Sequence, residues 1–222
     1  MYVCDISPII REMKKMNKTL LLPILIFALM GSGFSLGEQR LNGGMGLNLL
    51  GGFSSTNHEQ IALGGVESKM GLSFGFGLEF SVLPSVSVEI DILNAQKNFE
   101  FLPSGGGAKE SYYLTYLETP VLIKWLLSKN FNLKAGPYLS GLMISATKES
   151  GGVTSPVKSE FKNDYGVTFG AWFGFQTKKN LLIGLDIRYD LGMSDILNDS
   201  VADNHLYTRT LMGLLNFTFL FK

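Results

Sequence analysis

Apolar and polar residues alternate with a period of two through most of this chain. In one stretch Leu72, Phe74, Phe76, Leu78 and Phe80 share one parity, and Gly71, Ser73, Gly75, Gly77 and Glu79 the other. Successive side chains of a strand point to opposite faces, so this pattern predicts strands, not helices. Seven further stretches behave alike. The first carries Leu41, Met45, Leu47, Leu49 and Phe53; the third, after Leu83-Pro84-Ser85, carries Val86, Val88, Ile90 and Ile92. The fourth runs from about Tyr112 to Trp125, and the fifth carries Phe131, Leu133, Ala135, Leu139 and Met143. Tyr165 to Phe175 and Leu181 to Leu191 form the sixth and seventh, and Leu211 to Phe221 the last.

The connections alternate in length. Those at about 54–68, 98–111, 147–162 and 193–206 are long, and the three between them are short. Short turns on one side and longer loops on the other are the asymmetry of a transmembrane barrel. The sizes of the two faces point the same way. Nearly all the Phe and Ile lie on one face, while the other holds Gly, Ser and ionisable groups. An eight-stranded lumen has room for small and charged side chains but not for rows of Phe. Aromatic residues gather near strand ends: Tyr113, Tyr165 and Tyr189 toward the long loops, and Phe80, Trp125, Phe131, Phe175 and Phe221 toward the short turns. Two such girdles suit the headgroup levels of a bilayer. The expected fold is all-β, an eight-stranded antiparallel up-and-down transmembrane β-barrel spanning 38–222. Its last strand closes on the first, at about Gln39 to Phe53.

The N-terminus changes where the barrel is expected. Met13-Lys-Lys-Met-Asn-Lys18 is basic, Thr19 to Met30 is a short apolar run broken by Pro23, and Gly31, Ser32, Gly33, Ser35 and Gly37 follow. This is the order of a secretory signal peptide, assigned to 1–37 with cleavage after Ser35 or Gly37 and extra residues upstream of Met13. An even strand number then puts both termini in the periplasm of a Gram-negative cell and the barrel in its outer membrane. Beyond 1–37 the chain keeps 15 basic and 17 acidic residues of the 19 and 19 in the whole, a net −2 that leaves no nucleic-acid footprint. Cys4 is the sole cysteine and precedes the apolar run, which excludes disulfides and a lipoprotein anchor.

The same parity points Glu79, Glu89, Asp91, Glu118, Asp164, Asp186 and Asp190 inward together with Lys124, Lys134 and Arg188. Charges enclosed in a lumen have to pair, so a side-chain-filled interior without a pore is expected. Pro120 and Pro137 lack a backbone donor and lie within the fourth and fifth strands, where a closed barrel offers no free edge, so a bulge or local break is expected between them. Candidate chemistry is thin. His58 and His205 fall in expected outer loops, and Asp203, His205 and Ser200 could form a loop acid–base set, but a mobile acidic loop gives no rigid catalytic geometry. Asp195, Asn198, Asp199, Asp203 and Asn204 lack the closing Glu of a calcium loop. The Gly71-x-x-x-Gly75 spacing reflects inward glycines and not a phosphate cradle. No catalytic, cofactor-binding or metal residue is assigned, and the chain is expected not to be an enzyme.

Tyr116-Leu-Glu-Thr-Pro-Val-Leu-Ile-Lys-Trp125, then Lys134-Ala-Gly-Pro-Tyr-Leu139, then Leu185-Asp-Ile-Arg-Tyr-Asp-Leu-Gly192, resembles the outer-membrane β-barrel family that includes PorT-like proteins. Thr119, where an aliphatic residue is usual, and Lys222 after the terminal aromatic depart from its pattern. The resemblance implies an eight-stranded outer-membrane barrel whose last strand is read by the barrel-assembly machinery. The partners expected are outer-membrane lipid, that machinery and an unidentified envelope protein, with no nucleic acid and a monomeric state. A structural or interaction role in the envelope is the first expectation, which includes a secretion-associated PorT-like component. The alternatives are a conduit for small solutes or hydrophobic compounds and a lipid-modifying enzyme.

Overall fold

The computed structural model describes residues 44–61, 65–102, 107–178, 180–198 and 205–221. The expected leader, the first residues of the first strand, Ser200, Asp203 and Lys222 lie outside the described residues. The strands are β1 (Met45–Ile61), β2 (Gly65–Leu83), β3 (Val86–Gln96), β4 (Phe99–Leu102), β5 (Glu110–Ser128), β6 (Phe131–Ser150), β7 (Val153–Pro156), β8 (Asp164–Lys178), β9 (Leu181–Gly192) and β10 (His205–Phe221). Both β3 and β4 pair with β2 and with β5, so they are one stave interrupted at Lys97-Asn98. Eight antiparallel staves therefore form a ring, with β7 added to the outer end of β6. The ring closes where expected: β10 pairs with β1 in one unbroken register from Met45↔Phe221 to Ile61↔His205.

Parity sorts the faces as expected. Leu49, Phe53, Leu72, Phe74, Phe76, Leu139, Phe169, Leu215 and Phe217 are exposed on the outer wall, while all ten inward ionisable groups named above are buried. On β10 the outward apolar run spans Leu211 to Phe221, the length a tilted transmembrane strand of ~9–11 residues requires. Tyr165 and Tyr189 are exposed at one rim of this belt, and Phe80, Trp125, Phe175 and Phe221 at the other. Tyr113 departs from its expected girdle place. It is half-buried above the belt, with Lys69 Nζ 4.7 Å from its ring centre.

The prolines interrupt the sheet as expected. Pairing of β5 with β6 lapses between Pro120↔Tyr138 and Ile123↔Ala135, and pairing of β3 with β5 lapses between Ile90↔Val121 and Leu93↔Glu118. The register on either side is the same, so each gap is a break and not a bulge. Gly136 sits at the first gap, where a Cβ would fall on the Val121 carbonyl.

The outer connections are the main correction. Residues 54–68 are mostly strand: β1 runs to Ile61 and β2 starts at Gly65. Ser54-Ser-Thr-Asn-His-Glu-Gln60 has no apolar alternation, yet β10 supplies a complete backbone ladder opposite it. The third connection contains β4, and the fifth contains β7 and a short 3-10 turn at Lys158–Glu160. A polar segment becomes a strand here because its neighbours satisfy its backbone groups, a condition its own residues do not reveal. His58 is corrected with it. It is not in a loop but on β1, buried, its ring tilted over Phe99 at 4.3 Å between centroids.

Candidate functional site

The lumen is where the chemically distinctive side chains converge, and it divides into four levels. At the short-turn end Trp172 is buried with Leu182 and Leu220. Its ring occupies the space that Cβ atoms at Gly174 and Gly184 would need, and these two glycines face each other across β8 and β9. Above it lies a charged cluster. Lys124 Nζ donates to Glu79 and sits 2.7 Å from Glu89 Oε2, and Ser87 Oγ donates to Glu79 Oε1 at 2.7 Å. Lys134 Nζ bridges Glu89 and Asp186. Arg188 then forks: Nη1 donates to Asp91 Oδ2 at 2.6 Å, and Nη2 to Glu89 Oε1 at 2.9 Å and Asp186 Oδ2 at 2.8 Å. Leu50, Leu93, Met212 and Leu214 form an apolar cluster along β1, β3 and β10.

The third level centres on Lys97, which is fully buried at the interruption of the β3–β4 stave. Its Nζ lies 2.9 Å from Glu118 Oε2 and 2.8 Å from Asp164 Oδ2, and 4.6 Å from the centre of the Tyr138 ring. Asp164 is further held by the hydroxyls of Tyr138 (3.0 Å), Thr208 (2.7 Å) and Ser194 (2.9 Å). Ser140 Oγ donates to Glu118 Oε2, and Thr168 Oγ1 to Asp190 Oδ1. The fourth level is apolar. Phe99, Leu114, Tyr116, Leu142, Phe161, Ile196 and neighbours fill the outer mouth. A cavity of about 150 Å³ remains there between Val66, Phe101, Tyr112 and Leu197.

The two loops at the mouth are tied together. Lys162 N donates to the Ile196 carbonyl at 2.7 Å, Asn198 N to the Glu160 carbonyl at 2.8 Å, and Phe161 bridges to Leu197. Asp195 fastens the second loop by accepting from the backbone N–H of Leu197 (3.1 Å) and of Leu206 (2.9 Å), and its Oδ2 lies 2.9 Å from His205 Nδ1. Partial burial pushes the Asp195 carboxyl up, but the Leu206 N–H, the His205 ring and the Leu197 N–H outweigh it and hold the group below its ordinary range. So 193–198 is not the mobile acidic tip expected, and the partner of His205 is Asp195; Asp203 lies outside the described residues. A depressed carboxyl pKa contributes stability that is complete above the unfolded value, ~3.9, and lost as pH falls through the folded value. Acidification below about pH 4 is therefore expected to release 193–198 while the barrel persists. Asp195→Asn is expected to do so at neutral pH, read as loss of hydrogen-exchange protection at Leu197 and Leu206. Unchanged protection in the variant would refute this role.

Above the belt the outer wall carries the ion pairs Lys69–Glu100 at 3.0 Å and Lys109–Glu67 at 3.3 Å, while Lys148–Glu110 at 2.7 Å lies on the inner face beside Tyr112, at the rim of the mouth. The hydrogen bond from Lys148 holds the Glu110 carboxyl below its usual range. Solvent screens such pairs, so they shape the wall's charge more than its stability.

All ten inward groups expected from parity are in the lumen. Parity reasoning passed over Lys97 and Trp172. Lys97 continues the inward series Ser87, Glu89, Asp91, Leu93, Ala95, and Trp172 shares parity with Asp164 and Thr168. Among the described residues no group of three or more His, Cys, Asp and Glu side chains could hold a metal ion.

The family model of the outer membrane protein beta-barrel domain matches residues 37–198. The chain belongs to this family. The barrel is thus an outer-membrane protein, and its apolar belt is the lipid-facing surface. It is similar to the outer membrane protein OprG of Pseudomonas aeruginosa, with 12% identity, 82% of this chain and 99% of that one covered, and a TM-score of 0.47. It is similar to outer membrane protein W of E. coli, with 13% identity, 81% and 99% covered, and a TM-score of 0.47. Neisserial surface protein A gives 11% identity, 80% and 97% covered, and a TM-score of 0.46. No curated protein matches the sequence.

Proposed function

We propose that this outer-membrane barrel is a plugged structural and interaction protein of the cell envelope and does not catalyse a reaction. The observation that carries this reading is the lumen: Trp172, two ion-paired clusters and an apolar mouth occupy it from one end to the other. Interactions with other molecules then fall to the outside. The belt meets outer-membrane lipid, and β10 with its terminal Phe221 is the strand offered to the assembly machinery. The charged wall of β2, β4, β5 and β6 projects toward an envelope partner. This reading puts both chain ends on the periplasmic side and the barrel in a monomeric state; β1 starting and β10 ending at the same short-turn rim supports the common side. A component of an envelope secretion machine, as the resemblance to PorT-like proteins implies, is the finer form of this reading.

Planar-bilayer recording tests it. Purified barrel is expected to give no steady conductance step, and a reproducible ion-selective step would replace the plugged-barrel reading with that of a conduit. Crosslinking in intact envelopes is expected to capture a protein through the wall around Lys69 and Lys109. Failure of charge-reversed wall variants to change that capture would remove the wall as the partner surface.

A further inference from the structure

The buried charges of the lumen do not balance. Among the described residues seven buried carboxylates face four buried cations, Lys97, Lys124, Lys134 and Arg188. The surplus of three is uneven. Around Arg188 four acids meet three cations, whereas the level of Glu118, Asp164 and Asp190 holds a single cation, Lys97, which pairs with the first two. Lys97 is committed to Glu118 Oε2 and Asp164 Oδ2, and three hydroxyls complete Asp164.

Asp190 has none of this support. It is fully buried, makes no ion pair among the described residues, and accepts one hydrogen bond, from Thr168 at 2.6 Å. Among the described residues its Oδ2 has no hydrogen-bond partner, and neither has Oε1 of fully buried Glu118. The nearest guanidinium along β9, Arg188, is already forked over Asp91, Glu89 and Asp186. The sheet brings the two acids to one side of the lumen. Glu118 pairs with Ser140, Ser140 with Asp164 on β8, and Asp190 pairs with Thr168 on that same β8. A carboxylate enclosed by protein and lipid without a counter-charge is strongly disfavoured, so a charge from outside the chain has to offset it.

We infer that Asp190 and Glu118 form a binding site for one exchangeable positive charge taken from solution, a proton or a small alkali cation. The absence of a three-carboxylate or histidine-containing cluster among the described residues argues against a divalent ion there.

Infrared spectroscopy of the full-length barrel in lipid bilayers separates the two sources. A proton gives the carbonyl stretch of a buried carboxylic acid, shifted in deuterium oxide and lost in Asp190→Asn or Glu118→Gln. An alkali cation gives no such band, but raises the urea midpoint of the native barrel in sodium or potassium chloride over choline chloride at equal ionic strength, an effect lost in Asp190→Asn. Either result supports the site. Asp190→Asn is expected to leave the midpoint at or above that of the native barrel, whereas Asp164→Asn, which strips Lys97 of a partner, lowers it. The inference is overturned if neither band nor cation dependence is found, or if Asp190→Asn lowers the midpoint as far as Asp164→Asn. Should Asp190→Asn fail to fold, carbon-13 labelling of aspartate in the native barrel decides whether a protonated aspartate is present, and the salt series on native protein decides for the cation. Failure here leaves the plugged-barrel reading standing, since that reading rests on occupancy of the lumen and not on its charge.

Discussion

Arg188→Met is expected to destabilise the barrel by about 3–5 kcal/mol, the cost of removing one partner from a buried ion cluster. The side chain is fully buried, and its guanidinium serves three carboxylates from two staves, Glu89 and Asp91 on β3 and Asp186 on β9. Methionine fills a similar volume, so little of the loss would come from packing. What remains is three acids at one level of the lumen, with Lys134 alone bridging two of them. Arg188→Lys is expected to recover only part of the stability, because an ammonium cannot reproduce the planar fork. Urea unfolding in lipid vesicles, followed by the gel shift between folded and unfolded barrel, measures both. A midpoint for Arg188→Met equal to that of the native barrel would show that the cluster is neutralised by other means.

The second large effect is on the lipid face. Leu215 lies midway along the outward run of β10 and is paired with Gly51 and Leu185. Leu215→Arg places a charge near the centre of the hydrocarbon and is expected to cost ~2–4 kcal/mol. Leu211→Arg, beside Tyr189 at the outer rim, is expected to cost only ~0–1 kcal/mol because the side chain reaches the headgroups. The difference between the two variants is the diagnostic quantity. A soluble barrel has no depth dependence on its outer wall, so equal midpoints would contradict the membrane assignment of this face.

How much of this was legible beforehand depends on whether a feature is local. Phe74, Phe76 and Leu78 reveal their face by parity alone, and so do Glu89, Asp186 and Arg188 on the opposite face. Pro120 and Pro137 announced a break because a missing N–H is a property of the residue itself. Along the polar ends of β1 and β2 the sequence predicts a loop, because Ser55, Thr56 and Asn57 show no apolar alternation. Strand there follows from the β10 ladder across the closure, more than 140 residues away in the chain at Thr56↔Thr210. Trp172 is not legible from parity as a plug, because its inward place depends on Gly174 and Gly184 of two neighbouring strands leaving room for its ring.

By itself, then, the sequence determined the number of staves, the face each turns to lipid and ten of the eleven charges enclosed, Lys97 being the one passed over, because each depends on a period of two read along one strand. The tertiary structure alone decided which charges meet. Arg188 reaches Asp91 across 97 residues, and Lys97 reaches Asp164 across 67. Those pairings are set by the stagger between staves around a closed ring, as is the isolation of Asp190, and stagger is a relation between strands that no single strand carries.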